Sequence, residues 1–389
     1  MRIAFHAPLK PPDHPVPSGD RAMARALLGL LRDAGHEPVG TGRFRTYDRS
    51  GDPERQARIA RLGRELADRL ARRIAGGRIP RPDLWLTYHL YHKAPDHLGP
   101  RLAERFELPY LVVEGSASPK QARGPWAVGF AASLAALHRA DLVLAMTERD
   151  RYGLLEAGIA ADAVRLFPPF LDAAPFRTAA AERARHRAFW GDRLGLDPDT
   201  PRILAVAMMR ADVKRRSYEL LAAALARLSH LAWMLLVAGD GPSRPVIEPL
   251  LRAACGGRVR FLGELPPESL PGLYAACDLH LWPAVGEAYG MALLEAQAAG
   301  VPVVAGAEGG VGAVVKHGET GILVRPGDVE ALAGATAELL AAPELRRRLG
   351  RAAAERVRSE HDRPVARARL EAALEVARER HAARRREVV

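Results

Sequence analysis

The chain of 389 residues holds two cysteines, five lysines and 6% aromatic residues. Two cysteines exclude a disulfide framework and a cysteine-rich zinc site. Cys255 and Cys277 lie in apolar contexts without metal-ligand spacing, so buried free thiols and a cytoplasmic home are expected. No run reaches the ~18 apolar residues that a membrane-spanning helix needs. Met1-Arg2-Ile3-Ala4-Phe5-His6 reads as a short strand rather than a basic segment followed by a long apolar stretch, so no signal peptide is expected. Basic segments interleaved with aromatics, zinc-finger spacing and RRM signatures are missing, which argues against nucleic acid as a partner. His89 and His92 have no third ligand at metal-binding spacing. No internal sequence repeat is seen.

What the chain has in excess is arginine. The formal charge is +11. Residues 1–195 carry 31 Lys+Arg against 22 Asp+Glu, and the remainder 26 against 24, so the excess belongs to the first half. Much of it lies in Arg43–Arg81, where Pro53–Ala75 reads as an amphipathic helix with Ile59, Leu62, Leu66, Leu70 and Ile74 on one face. A solvated arginine-rich helix is the favoured reading. Attraction to an anionic membrane surface is the sharper one.

The length is too great for one ordinary core and suits two domains. Strand-like runs alternate with helical ones, which indicates parallel α/β sheets. Strands are expected at Arg2–Ala7, Asp83–Tyr88, Leu111–Glu114, Leu142–Met146 and Val164–Phe167, then at Ile203–Ala207, Met234–Ala238, Val259–Leu262, Leu279–Trp282, Val301–Ala305 and Gly321–Val324. The break falls between Phe167 and Pro201, with a helical insert near Thr178–Arg193. This gives a first domain over 1–175, a second over 195–363 and a basic helical tail over 364–389.

Residues 284–304, AVGEAYGMALLEAQAAGVPVV, are the most informative segment. Glu287 and Glu295 stand eight positions apart, with Tyr289-Gly290 between them and a helix following. One glutamate at a helix mouth and another two turns in can hold two parts of an elongated ligand. The free amides at the helix start attract phosphate.

Glu287, Gly290, Glu295 and Gly300–Val303 match the carboxyl-proximal signature of the retaining glycosyltransferases of family 4, and the segment closely resembles it. The resemblance implies an α/β GT-B fold, with two Rossmann-like domains facing each other across a cleft and the last helix returning to the first. It implies sugar transfer from a nucleotide-sugar donor (UDP- or GDP-sugar) without a required cofactor or metal. The leaving phosphate would draw the acceptor proton. Closure of the domains would exclude water.

Site residues follow from the same resemblance. Arg210 and Lys214 occupy the places where relatives hold the donor diphosphate, with Arg215 a competitor for the second role. Fixed cations there stabilise charge on the leaving group. Glu287 is expected beside the donor sugar and Glu295 on the ribose diol, because a carboxylate can accept from two hydroxyls at once. The amides around Tyr289, Gly290 and Met291 are expected on the distal phosphate. Gly239-Asp240-Gly241-Pro242 matches a family turn read as structural. Gly263 and Glu264 lie where relatives sense the nucleobase. Gly309-Gly310-Val311-Gly312 resembles a further donor loop whose usual Pro-Glu is replaced. In the first half, Ser18-Gly19-Asp20 replaces a glycine-rich turn. Gly19 permits close backbone approach, and Asp20 has an equal claim as a helix N-cap. Lys10, His14, Glu114 and Lys120 are acceptor-side candidates. Glu114 stands where many relatives have a histidine, and His89 and His92 are equally available.

The acceptor is unspecified, with a lipid-linked saccharide or surface polysaccharide as the expectation and a peripheral place at the inner face of the membrane. The alternatives are a non-catalytic basic surface-binding protein on the same scaffold, and a sugar-nucleotide epimerase or phosphorylase.

Overall fold

The computed structural model describes residues 1–16 and 18–388. Pro17, one of five prolines in the first loop, lies outside the described residues. Twelve strands and fifteen helices run among them in alternation. They are β1 (Arg2–His6), α1 (Gly19–Asp33), β2 (Glu37–Gly40), α2 (Pro53–Ala75), β3 (Leu84–Leu90), α3 (Gly99–Arg105), β4 (Tyr110–Gly115), α4 (Ala127–Arg139), β5 (Leu142–Ala145), α5 (Glu148–Glu156), β6 (Val164–Leu166), α6 (Ala174–Ala181) and α7 (Arg183–Leu194). Then come β7 (Arg202–Val206), α8 (Val213–Ala226), β8 (Met234–Ala238), α9 (Arg244–Cys255), β9 (Val259–Gly263), α10 (Leu270–Ala275), β10 (Leu279–Trp282), α11 (Met291–Ala298), β11 (Val303–Gly306), α12 (Val311–Val314), β12 (Gly321–Val324), α13 (Val329–Ala341), α14 (Pro343–Arg356) and α15 (Arg363–Val388).

The chain folds into two units, Met1–Pro168 with Pro364–Val389, and Pro169–Arg363. Each is built on a six-stranded sheet, in the orders β2-β1-β3-β4-β5-β6 and β12-β11-β10-β7-β8-β9, and every strand pair is parallel. Two-sided burial explains the unbroken apolar runs: Leu279, Leu281, Val303 and Val304 are fully buried. This is the α/β two-domain GT-B class. In both sheets the strand order reverses beside the first strand, between β1 and β3 and between β7 and β10. Ligands of open parallel sheets sit at such switch points, outside the carboxyl ends of the strands.

Several boundaries differ from those expected. The units divide at Pro168/Pro169 rather than at 175, and residues 169–194 belong to the second unit. The Leu171 amide donates to the His361 carbonyl (3.0 Å), the Ala173 amide donates to the Asp362 carboxylate (3.0 Å), and Arg183 and Arg187 each pair with Asp278 (2.8 Å). The insert is two helices, α6 and α7. Strand β3 runs two residues past Tyr88, while β2 falls outside the expected strands. On α2 the buried line is Gln56, Gly63, Ala67 and Ala71, whereas Leu62 is exposed. Small residues win that face because the neighbouring chain comes close: a Cβ on Gly63 would lie 2.4 Å from the His97 Cβ.

Helix α15 is fastened within the first unit by a buried carboxylate. Asp141 lies 3.1 Å from Arg384, 3.4 Å from His381 and 3.7 Å from Arg139, and its carbonyl accepts from Arg380 Nε at 2.8 Å. Both cysteines are free and buried, and burial pushes their thiols up, to about 11 for Cys255 and about 12 for Cys277. No helix among the described residues is long and apolar enough to cross a membrane.

Candidate active site

In the second unit the loops after β7 and β10 meet at the switch point, and backbone packing fixes both. Gly239 and Gly241 press against the first loop: a Cβ on either would sit 2.0 Å from the Ala207 carbonyl or 2.5 Å from the Met209 carbonyl. Their φ values, +137° and +151°, also require glycine. The Met209 amide donates to the Asp240 carbonyl and the Ser243 amide to the Met209 carbonyl, both at 2.9 Å. The Gly-Asp-Gly turn thus braces the segment that ends in Arg210. The second loop leaves β10 through Ala284 at φ +60°. The Val285 amide donates to Ser217 Oγ on α8 (3.0 Å). Gly309 seats the other side, where a Cβ would stand 2.0 Å from the Glu287 carbonyl.

These loops bring Lys214 and Glu287, 73 positions apart, into a 2.5 Å ion pair with both side chains about four-fifths buried. Trp282 at the end of β10 backs the pair. Its Nε1 donates to Glu287 Oε2 at 3.4 Å, and its ring lies 5.5 Å from Lys214 Nζ. Arg215 and Arg216 turn away onto Glu219, at 3.1 and 3.2 Å. Position 214, at the second residue of α8, is therefore the one that meets Glu287. Arg210 donates to Met208 Sδ (3.3 Å) and has no carboxylate partner among the described residues, so its charge remains available.

Gly290, at φ +82°, precedes α11; the Leu293 and Leu294 amides donate to its carbonyl, which leaves the Met291 and Ala292 amides at the open end of the helix. Tyr289 is buried. One turn further, Glu295 is half-buried and accepts from the Tyr274 hydroxyl at 2.9 Å. Burial raises its carboxyl to about 7, against the opposing effect of that hydrogen bond. Gly263 ends β9 at φ +68°, with Glu264 exposed beside it. The supporting Tyr274 and Trp282 have no sequence signal: nothing in the pattern links a tyrosine on α10 to a glutamate 21 residues later.

The first unit collects a second cluster at its own switch point. Ser18, not Asp20, caps α1, its Oγ accepting from the Arg21 amide at 3.2 Å. This corrects the N-cap reading of Asp20, whose carboxylate, in the first turn, lies 3.3 Å from His89 Nδ1. His89 is in turn 3.6 Å from Glu114. The Tyr91 ring packs on His89 with centroids 5.1 Å apart. Burial works to lower the His89 pKa, but Glu114 and Asp20 outweigh it and raise it to about 9. Burial lifts Glu114 to about 6. Lys10 lies within electrostatic reach of Asp20. His14 is turned to its own loop, its Nδ1 accepting from the Val16 amide. Lys120 is exposed and acts on His92. A Cβ on Gly19 would touch nothing within 4 Å, so the fold does not itself demand glycine there. Among the described residues no group of three or more His, Cys, Asp or Glu is arranged to hold a metal ion.

Residues 190–356 match the family described as glycosyl transferases group 1. The match falls within the second unit. Among similar proteins is a D-inositol 3-phosphate glycosyltransferase of Nocardia farcinica (strain IFM 10152), 34% identical over 219 residues, covering 54% of this chain and 47% of that protein. Another is an alpha-D-kanosaminyltransferase of Streptomyces kanamyceticus, 33% identical over 221 residues, 56% of each. The chain spans about half the length of the curated relatives it matches. Among solved structures, Anabaena Alr3699/HepE in complex with UDP superposes with a TM-score of 0.74 at 17% identity, over 96% of this chain and 100% of that one. Sucrose-phosphate synthase from Thermosynechococcus elongatus gives 0.72 at 22%, over 98% and 100%. At these identities the likeness is one of fold.

Proposed function

We propose that the protein transfers a glycosyl group, with retention, from a nucleotide-sugar donor to an acceptor hydroxyl. The carrying observation is the Lys214–Glu287 ion pair at the second unit's switch point, followed by the open helix start at Gly290, with Arg210 in the loop that leads to Lys214. Arg210, Lys214 and the amides of Tyr289–Met291 hold the diphosphate. As the bond from the anomeric carbon to the phosphate oxygen breaks, its electron pair stays with the phosphate, and these fixed charges and dipoles stabilise it. The acceptor oxygen bonds to that carbon and its proton passes to the phosphate. Glu287 accepts from the sugar hydroxyls and orients Lys214. Glu295, with Tyr274 behind it, accepts from the ribose diol. Gly263 and Glu264 border the base.

UDP is the nucleotide we favour, because Anabaena Alr3699/HepE, a solved neighbour of the same fold, forms complexes with UDP. The D-inositol 3-phosphate glycosyltransferases among the relatives supply inositol phosphate as an acceptor precedent, while a lipid-linked or polysaccharide acceptor rests on the basic first half alone. Exposed Arg58, Arg61, Arg69 and Arg72 beside exposed Leu62 on α2 support contact with an anionic membrane surface. The test is donor binding: UDP and UDP-glucose are titrated against the full chain by calorimetry and thermal shift. Stabilisation that rises with ligand supports the reading. Failure of UDP-, GDP- and ADP-sugars alike to bind overturns it.

A further inference from the structure

The second unit carries an open cavity of about 670 Å³ on the side of its sheet away from the candidate active site. Pro198 and Asp199 come just before β7, Asp278 immediately before β10 and Pro302 immediately before β11, and all four line it. The cavity therefore lies at the amino ends of these strands, whereas Arg210, Lys214 and Glu287 follow their carboxyl ends. Its size falls within the range of small-molecule pockets, about 300–1,000 Å³. Between the polar groups the wall is made of small residues, Ala180, Ala299, Gly300, Gly350 and Ala354, which leave the volume open. Helix α14 comes close there: a Cβ on Gly350 would stand 2.1 Å from the Gly300 carbonyl.

Five arginines line the same cavity, Arg183 and Arg187 from α7 and Arg346, Arg347 and Arg351 from α14. Acids do not balance them. Asp278 alone serves both Arg183 and Arg187, at 2.8 Å each, and its oxygens are fully engaged, since Oδ2 also accepts from the Arg202 amide at 2.8 Å. Arg347 pairs with Glu344 on its own helix, and Asp199 is exposed and pairs with no arginine among the described residues. The buried Arg202 adjoins the group, its Nη1 donating to the Arg187 carbonyl at 2.7 Å, and has no carboxylate on its guanidinium among the described residues. Burial lowers the Arg346 pKa most. Asp278 pulls the other way, and Arg183, Arg187 and Arg347 lower it further. Donors remain unspent as well. Arg187 uses its whole head on Asp278 and the Pro198, Thr200 and Ala276 carbonyls. Arg346 uses only Nη1, on the Leu339 and Leu340 carbonyls, and Arg183 uses its Nη atoms but not Nε. Arg351 is exposed and has no hydrogen-bond or ion-pair partner among the described residues.

We infer that this cavity is a second anion site, separate from the donor place, and that it binds a phosphate group, free or carried by a small molecule, through Arg183, Arg346, Arg347 and Arg351. A guanidinium presents its N–H groups as a planar fork that matches two phosphate oxygens at once. A concave wall with an excess of one charge also concentrates ions of the other. Asp278 steadies Arg183 and Arg187 without offering the anion a free carboxylate oxygen. The small residues of the wall leave room for whatever carries the phosphate. The inference goes beyond sugar transfer and does not depend on it.

The experiment is isothermal titration calorimetry on the full chain at fixed ionic strength, with inorganic phosphate, glucose 6-phosphate and glucose as probes. The proteins are the wild type, the double variant Arg347→Glu/Arg351→Glu and, for the donor place, Lys214→Ala. Phosphate or glucose 6-phosphate is expected to bind the wild type and Lys214→Ala alike, and the double variant about tenfold more weakly or less. Glucose is expected to give no binding. Tighter binding of glucose 6-phosphate than of phosphate assigns the site to a phosphorylated metabolite, and equal binding assigns it to the free ion. The proposal is overturned if neither phosphate compound binds, if binding persists in the double variant, if glucose binds as tightly as glucose 6-phosphate, or if Lys214→Ala abolishes binding. Both substituted arginines are exposed, and thermal melts check the fold. Should the double variant fail to fold, Arg351→Ala, which removes no bond among the described residues, takes its place.

Discussion

His89 and Glu114 face each other across neighbouring strands, 3.6 Å apart, each with its backbone at φ near +60°. Two such residues cost on the order of 1–3 kcal/mol each, and they place an imidazole between carboxylates. The His89 pKa, about 9 in the fold, stands above its ordinary 6.5. Stability from this arrangement is fully present below pH 6.5 and lost as pH rises through about 9. The melting temperature should fall over that window in the wild type. A parallel melt of His89→Gln should show a flatter slope, and equal slopes would refute the assignment.

Lys214 and Arg215 offer a sharp comparison. Only Lys214 reaches Glu287. Lys214→Ala should lower sugar transfer by about 10²–10³-fold, the scale of losing one stabiliser of developing charge, whereas Arg215→Ala should change it less than about twofold. The readout is UDP release from UDP-glucose; comparable losses in both variants would contradict the geometry.

Glu295 titrates near neutrality because burial lifts its carboxyl to about 7. On the proposed reading its carboxylate accepts from both ribose hydroxyls, and when protonated it loses acceptor capacity. UDP affinity measured by calorimetry should therefore rise between pH 6 and 8, and Glu295→Gln should remove that rise. Retention of the rise in the variant would assign it to another group.

His280 lies in the middle of β10, fully buried, and neither ring nitrogen has a hydrogen-bond partner among the described residues. Burial depresses its pKa to about 3. The neutral ring is stable in the fold above pH 6.5, and stability drains away as pH falls from there towards 3. His280→Leu should raise stability by about 1–3 kcal/mol and reduce the acid sensitivity in urea titrations. A destabilised variant would mean that a partner holds the ring.

Asp141 fastens α15 through Arg384 and His381. Asp141→Ala leaves those cations without their buried partner and should cost about 3–5 kcal/mol. Limited proteolysis should then cut first within α15. Cleavage elsewhere with α15 protected would show that apolar contacts hold the helix unaided.

Much of the second unit was legible in the sequence. Its strands carry unbroken apolar runs, its turns carry glycines at positions with no room for a Cβ, and Glu287 and Glu295 stand at helical spacing. Each is a local requirement, written within a few residues of the place it acts. Arg210 and Lys214 were singled out through the family resemblance, by their places in the loop after β7 and at the start of α8.

The first unit was harder to read, because its site comes from separate strand ends. Asp20, His89 and Glu114 lie far apart in the chain, and no periodicity links them. The sequence by itself determined the alternating α/β order, the two sheets and the helix mouth between the two glutamates. Only the tertiary structure paired Lys214 with Glu287 and turned Arg215 onto Glu219, made Ser18 the cap and released Asp20 to His89, and set Tyr274 under Glu295. Those choices depend on which strands become neighbours, and parallel pairing joins strands through long crossovers whose contacts a local pattern does not encode.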